Sequence, residues 1–136
     1  MPYSRSIQIE FNHCDPAGIV FYPRYFEMTN SVVENFFAEV VGRSFAAMHR
    51  SGQDGVPTVR IAAEFPAPSR LGDTVLFSLR VLKLGRSSLT VLIEGRGAGE
   101  VRMRAEITIV WTKGMKAAPW PEDMRARLAA CLEDAA

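Results

Sequence analysis

Between Pro23 and Gly42 the apolar residues Tyr25, Phe26, Met28, Val32, Val33, Phe36, Phe37, Val40 and Val41 recur every three or four positions. That period belongs to an α-helix of about five turns with a wide apolar face. Pro23 suits its first turn, where a missing N–H removes no hydrogen bond, and Gly42 is a natural stop. The polar residues Glu27, Asn30, Glu34 and Glu39 are too few in charge for a surface helix. Something must therefore wrap it. With 136 residues in all, a length that suits one domain of roughly 100–150 residues, the wrapping has to come from the remainder of the same chain.

The remainder alternates with period two, the signature of half-buried strands. Ile7, Ile9 and Phe11 alternate with Gln8 and Glu10 before the helix. After a short helical or irregular piece at Ser44 to Arg50 and a loop from Ser51 to Gly55, four more strands follow. Their apolar phases are Val59, Ile61, Ala63 and Phe65; Val75, Phe77, Leu79 and Val81; Leu89, Val91 and Ile93; and Val101, Met103, Ala105, Ile107, Ile109 and Trp111. The separators at 66–73, 85–87 and 95–99 carry the Gly, Pro and Ser of turns. Pro119 and Pro121 end the sheet, and Glu122 to Leu132 reads as a short amphipathic helix. Strands running consecutively after a helix indicate an α+β fold: an antiparallel sheet of about five strands curled around one long central helix, in a single domain spanning 1–136. One helix covers only part of a sheet face, so outward apolar residues such as Leu76 and Val110 predict burial against another subunit.

Charge narrows the partners. Sixteen Lys+Arg against fifteen Asp+Glu leave +1, which supplies no field for indiscriminate nucleic-acid binding. No apolar run approaches the ~18 residues of a membrane span, and the N-terminal residues lack a signal-peptide core. Cys14 and Cys131 show neither zinc-ligand spacing nor a disulfide framework. A cytoplasmic protein without metal, nucleic acid or membrane partners is expected.

The first strand ends in Asn12-His13-Cys14-Asp15-Pro16-Ala17-Gly18. Asp15 is pushed from helical geometry by the following proline, and Gly18 permits positive φ, so the chain turns sharply here. An isolated Asp in such a turn is ordinarily an Asx-turn or cap residue. The whole segment Asp15-Pro16-Ala17-Gly18-Ile19-Val20-Phe21-Tyr22-Pro23-Arg24-Tyr25, however, closely resembles the DPAGIV(W/F)YPxY motif of the hotdog-fold acyl-CoA thioesterases, in the 4-hydroxybenzoyl-CoA thioesterase branch. The order strand, helix, four strands also fits the hotdog topology, and the resemblance weakens after Trp111.

The resemblance implies that Asp15 is catalytic. A carboxylate can attack a thioester carbonyl to give a mixed anhydride, or activate water as general base. It also implies that the backbone N–H of Tyr22, at the positive end of the helix, polarises the carbonyl. The family's other large branch has a His at that position, so here the backbone must serve. Gly18, Phe21, Phe26 and Asn30 are expected in the substrate site, with Met28 beside them in the acyl pocket. Asn30 stands where the 4-hydroxybenzoyl branch carries an acidic residue, so phenol selection does not transfer. The hairpin Lys83-Leu84-Gly85-Arg86-Ser87-Ser88 matches the family's nucleotide-contacting turn. Lys83, Arg86, Ser87 and Ser88 are thus expected to bind coenzyme A, although Ser87 replaces a basic residue and an ordinary solvated hairpin is the alternative.

Other chemistry-bearing residues read more plainly. His13 lies two residues before Asp15, but such neighbours share a face only while the strand lasts. Cys14 reads as a packed, inert thiol, and His49 as a surface residue. Arg70, Arg102 and Arg104 read as solvated cations. The expected activity is hydrolysis of an aromatic (4-hydroxybenzoyl-CoA-like) or short- to medium-chain acyl-CoA to the free acid and coenzyme A. Coenzyme A is part of the substrate, and no cofactor is required. The expected assembly is a homo-oligomer, a dimer or a tetramer made as a dimer of dimers, with the site shared between subunits. The alternatives are an acyl-carrier-protein thioesterase and a non-catalytic acyl-CoA-binding hotdog protein.

Overall fold

The computed structural model describes residues 2–135. Five strands, β1 (Tyr3–Gln8), β3 (Thr58–Glu64), β4 (Thr74–Leu84), β5 (Ser88–Gly97) and β6 (Glu100–Val110), form one antiparallel sheet in the order β1-β4-β5-β6-β3. The central helix α1 (Arg24–Phe36) lies on its inner face. Val75, Phe77, Leu79 and Val81 of β4, Leu89, Val91 and Ile93 of β5, and Met103, Ala105, Ile107 and Ile109 of β6 are all buried with Val32, Val33, Phe36 and Phe37. Period-two alternation thus delivered one face of each central strand to the helix, as expected of an α+β chain.

The helix continues as a single wide turn through Phe37–Val41, where the Gly42 N–H reaches back five residues to the Phe37 carbonyl at 2.8 Å. Gly42 then stops it with φ +89°, a conformation that a Cβ disfavours. The short piece at residues 44–50 is helical, α2 (Phe45–Arg50), capped by the Ser44 hydroxyl accepting from the Ala47 N–H. The terminal helix α3 spans Glu122–Ala135 and buries Met124 and Leu128, three residues beyond the end read from the sequence.

A second sheet was not foreseen: β2 (Asp54–Gly55), β7 (Thr112–Lys113) and β8 (Lys116–Ala117). Two-residue strands are too short to carry a periodic signal.

Both edges of the main sheet are open. β1 guards its edge with Arg5, whose side chain points inward among Ile7, Met28 and Ser31, a charge that discourages a foreign strand. β3 carries no inward charge; a bulge at Val59 and the ion-paired Arg60 and Glu64 guard it instead. All seven of its residues are exposed, including Val59 at 61% and Ile61 at 43%, although their alternation is that of a half-buried strand. Leu76 is likewise 48% exposed on the outer sheet face.

Candidate active site

Asp15 sits at the tip of a small hairpin. Cys14 pairs with Val20 across it, the Asp15 N–H donates to the Ile19 carbonyl at 3.0 Å, and the Phe21 N–H donates to the His13 carbonyl at 2.9 Å. Asp15 makes the expected Asx-turn: Oδ1 accepts the Ala17 N–H at 2.9 Å, and the Asp15 carbonyl accepts the Gly18 N–H at 2.9 Å. Gly18 holds φ +80°. Among the described residues Oδ2 has no hydrogen-bond partner, so one oxygen holds the turn and the other is available. Structural and chemical roles are therefore compatible in one carboxylate.

The second arm of the hairpin runs directly into α1. The N–H groups of Arg24, Tyr25 and Phe26 close the first turn onto the Phe21, Tyr22 and Pro23 carbonyls. The Tyr22 N–H donates to nothing among the described residues, as expected of an orphan donor at a helix start. It lies two residues before the start of α1, at the positive end of the helix dipole. The Tyr22 ring is 58% exposed and Phe21 50%. Tyr22, Tyr25 and Phe26 surround Phe65, whose centroid lies 5.9 Å, 5.5 Å and 6.2 Å from theirs, and Phe21 meets the Tyr22 ring edge-on at 5.8 Å.

A small cavity continues along α1 from this aromatic cluster, walled by Phe26, Asn30 and Val33 on the helix and by Ile61, Ile107 and Ile109 on the sheet. Met28 is not part of it. Two residues turn a helix by about 200°, so Met28 is buried towards β1, in the cleft with Arg5 and Ile7. Phe26 and Asn30, four apart, do share the cavity face.

His13 is engaged elsewhere. Its Nδ1 accepts the Glu10 N–H at 2.8 Å and its own N–H donates to the Glu10 carbonyl at 3.0 Å, closing a one-turn 3₁₀ segment over Phe11–His13. Cys14 packs against the core with its thiol 3.6 Å from the Glu10 carbonyl. His49 is exposed on α2, edge-on to Phe45.

Arg102 corrects the sequence reading. Its alternation phase placed it in solvent, yet it is 7% exposed. Gly95 pairs with Met103 and Arg96 with Val101, so Arg102 is the extra residue of a β-bulge and turns inward. Gly97 leaves it room, since a Cβ there would lie 2.9 Å from the guanidinium carbon. Nη1 donates to Asp73 Oδ2 at 2.8 Å, to Ser69 Oγ at 3.2 Å and to the Pro68 carbonyl at 3.2 Å; Nη2 donates to the Gly97 carbonyl at 3.1 Å. The Tyr25 hydroxyl, on the first turn of α1, also donates to Ser69 Oγ at 2.9 Å. Ser69 in turn accepts the Val20 N–H on its carbonyl, and the Leu71 N–H donates to the Gly18 carbonyl. This buried network ties the 68–73 loop to both the Asp15 hairpin and the helix start. The paired glycines at 95 and 97 were its only sequence signal. Arg104 is held on the outer face by Glu64 and Glu94, while Arg70, exposed beside Ile19, has no ion pair among the described residues.

The Lys83–Ser88 hairpin lies elsewhere in the same chain. The 73–74 end of β4 meets the Asp15 region through the Ile9 N–H to Asp73 carbonyl bond at 2.7 Å. The hairpin closes the other end of this 11-residue strand, roughly 30 Å away at about 3.3 Å per residue. Lys83 and Arg86 are exposed and Ser87 and Ser88 half-buried. α3 braces the turn, with Arg125 Nη1 donating to the Gly85 carbonyl at 2.9 Å.

Comparison with known proteins agrees with this architecture. The thioesterase-like superfamily profile matches residues 9–128. No curated protein sequence matches significantly. Among solved structures, a gentisyl-coenzyme A thioesterase is 25% identical, with TM-score 0.84 over 93% of this chain and 99% of its own. A thioesterase from Thermus thermophilus, complexed with coenzyme A and zinc, is 26% identical, with TM-score 0.80 over 96% and 93%. A Synechocystis 1,4-dihydroxy-2-naphthoyl-CoA thioesterase shares the fold at 20% identity and TM-score 0.86 over 95% and 96%. A five-stranded antiparallel sheet around one helix, matched to that superfamily over nearly its whole length, makes this chain a member of the thioesterase-like superfamily with the hotdog fold, a thioester hydrolase.

Proposed function

We propose that the chain is an acyl-CoA thioesterase that hydrolyses an aromatic or aliphatic acyl-CoA to the free acid and coenzyme A, with Asp15 and the Tyr22 N–H as its catalytic groups. One observation carries this reading: the hairpin that presents Asp15 with a free carboxylate oxygen leads directly into a helix start whose Tyr22 N–H is unpartnered among the described residues. As general base, Asp15 takes a proton from water while the water oxygen adds to the thioester carbonyl. The Tyr22 N–H and the helix dipole stabilise the oxyanion that forms. Collapse of the tetrahedral intermediate breaks the C–S bond, and the departing thiolate takes the proton. As nucleophile, the same carboxylate adds to the thioester carbonyl and expels the thiolate as the C–S bond breaks, leaving a mixed anhydride that water opens to the free acid and the restored carboxylate. Neither route needs a metal or a redox group.

The site is proposed to be shared within a dimer or a dimer of dimers. The exposed edge strand β3 supports a partner across that edge, and the separation of Arg86 from Asp15, roughly 30 Å at about 3.3 Å per strand residue, supports nucleotide contacts supplied to each site by another subunit's hairpin. A cytoplasmic setting suits coenzyme A esters.

The test is Asp15→Asn, which preserves the Asx-turn acceptor and removes the negative charge. We expect kcat on the best acyl-CoA substrate to fall at least ~10²-fold, the lower end for a positioned acid–base group, with a small change in KM. Near-native kcat would eliminate Asp15 from the chemistry.

A further inference from the structure

Arg5 is the inward-facing charge of β1, and nothing around it matches that charge. Its Nε is buried with no hydrogen-bond partner among the described residues. Two carboxylates of the central helix are engaged elsewhere: Glu27 holds Arg24 Nη1 at 2.8 Å, and Glu39 accepts the Tyr3 hydroxyl at 2.7 Å. A guanidinium drawn out of water ordinarily has an anion beside it, because desolvation of an unpaired charge is costly.

The side chain lies in an open cleft of about 360 Å³ between the free edge of β1, the Phe11–His13 turn and α1, a size within the roughly 300–1,000 Å³ of small-molecule sites. Ile7, two residues along the strand and so on the same face, and the buried Met28 give it apolar walls. Ser31, one turn after Glu27, adds a hydroxyl. The strand edge adds backbone donors. The Ile9 N–H donates to Asp73 and the Ile9 carbonyl accepts from Gly72, and backbone groups alternate sides along an antiparallel strand. The N–H groups of Ser6 and Gln8 therefore face the cleft, as the Glu10 N–H does in reaching His13 Nδ1. Glu10 and Glu27 are exposed at the margin. Their charges repel a multiply charged anion, whereas a single negative charge matches the single guanidinium.

We propose that this cleft binds a small monocarboxylate, with its carboxylate on Arg5 and its apolar body against Ile7 and Met28. A carboxylate presents two oxygens to the planar fork of a guanidinium, the geometry of a bidentate pair. The cleft lies across α1 from the cavity walled by Phe26 and Asn30, and neither Asp15 nor Tyr22 lines it. Free acids of this class are what thioester hydrolysis releases, but the binding itself does not depend on that reading.

Titration of the native protein with hexanoate, followed by the nuclear magnetic resonances of the Arg5 Nε–H and the Met28 methyl, tests this. Hexanamide serves as the uncharged counterpart and inorganic phosphate as the more highly charged anion. We expect hexanoate to shift both resonances along one saturable curve, with hexanamide and phosphate at least ~10-fold weaker, the loss of a charge-assisted contact. In Arg5→Met the Met28 shift should need at least ~10-fold more hexanoate. Its Tm without ligand should be retained, because no buried anion is stranded, and its kcat on acyl-CoA should be unchanged. The absence of a saturable shift at Arg5 in the native protein overturns the proposal, as does equal binding of hexanamide or phosphate. A marked fall in Tm for Arg5→Met would mean that the protein itself matches the guanidinium, and a fall in kcat that the carboxylate was read in the catalytic site; either overturns the separate site. Hexanoate binding at Arg5 in a protein that turns over no thioester would retain the cleft and refute only the hydrolytic reading.

Discussion

Arg102→Ala probes the buried network that joins the Asp15 hairpin to the central helix. The native guanidinium hydrogen-bonds Asp73, Ser69 and the carbonyls of Pro68 and Gly97, with Nε 3.1 Å from Glu100 Oε1. Deleting it strands the Gly97 carbonyl and the Asp73 carboxylate. Removing one member of a fully buried pair costs about 3–5 kcal/mol. The Asp73 side chain is 33% exposed, though, and Glu100 61%, so water recovers part of the loss and about 2–3 kcal/mol is expected. At about 4 °C per kcal/mol for a chain of this size, Tm should fall by about 10 °C. Arg102→Lys should recover little, because an ammonium cannot reproduce the planar fork. The hydrogen bond from Arg102, reinforced by the Arg70 N–H, holds the Asp73 carboxyl below the ordinary carboxylate range. A depressed folded-state pKa contributes stability above the unfolded-state value, and that contribution is lost as pH falls through the folded-state value. Acidification should therefore destabilise the native protein more than the Arg102→Ala variant, narrowing their difference below about pH 4. Urea unfolding followed by circular dichroism at neutral and acid pH reads both effects. A loss under about 1 kcal/mol at neutral pH, or one that does not narrow in acid, would refute the network as the anchor of the hairpin.

Three further outcomes are expected. Ile61→Lys, which charges the inner face of the β3 edge, should shift sedimentation towards the 15.1 kDa monomer and reduce turnover with it; an unchanged oligomer would place the subunit contact elsewhere. Arg86→Ala should raise KM for CoA esters more than it lowers kcat, with a penalty that shrinks at high salt; an equal effect on a minimal thioester lacking the nucleotide would discard the hairpin assignment. Gly18→Ala, at φ +80° with no atom near the new Cβ, should cost about 1–2 kcal/mol of backbone strain and lower kcat by displacing Asp15; native kcat would mean that the turn geometry is irrelevant to the reaction.

What the chain determines by itself is local. The three- and four-residue spacing from Tyr25 to Val41, the alternation of β4 to β6 and the turn residues at 15–18 each act over a few neighbours, so the central helix, the five strands of the main sheet and the Asp15 turn were legible, whereas the end of the first strand at Gln8 and the two-residue strands of the second sheet were not. Tertiary structure decided the rest. Arg102 is buried because a bulge adds one residue opposite Gly95 and Arg96, and a slip of one residue sends a side chain to the other face. The separation of Arg86 from Asp15 follows from the length and direction of β4 within the sheet, which a motif match cannot express. β3 is exposed at every residue because it is an edge strand paired only with β6, and the bulge at Val59 breaks the alternation that the sequence shows. The Arg5 cleft arises where β1, the Phe11–His13 turn and α1 converge from separate stretches. Contacts of this kind depend on how distant segments are brought together in three dimensions, whereas periodicity records only which face of its own element a residue occupies.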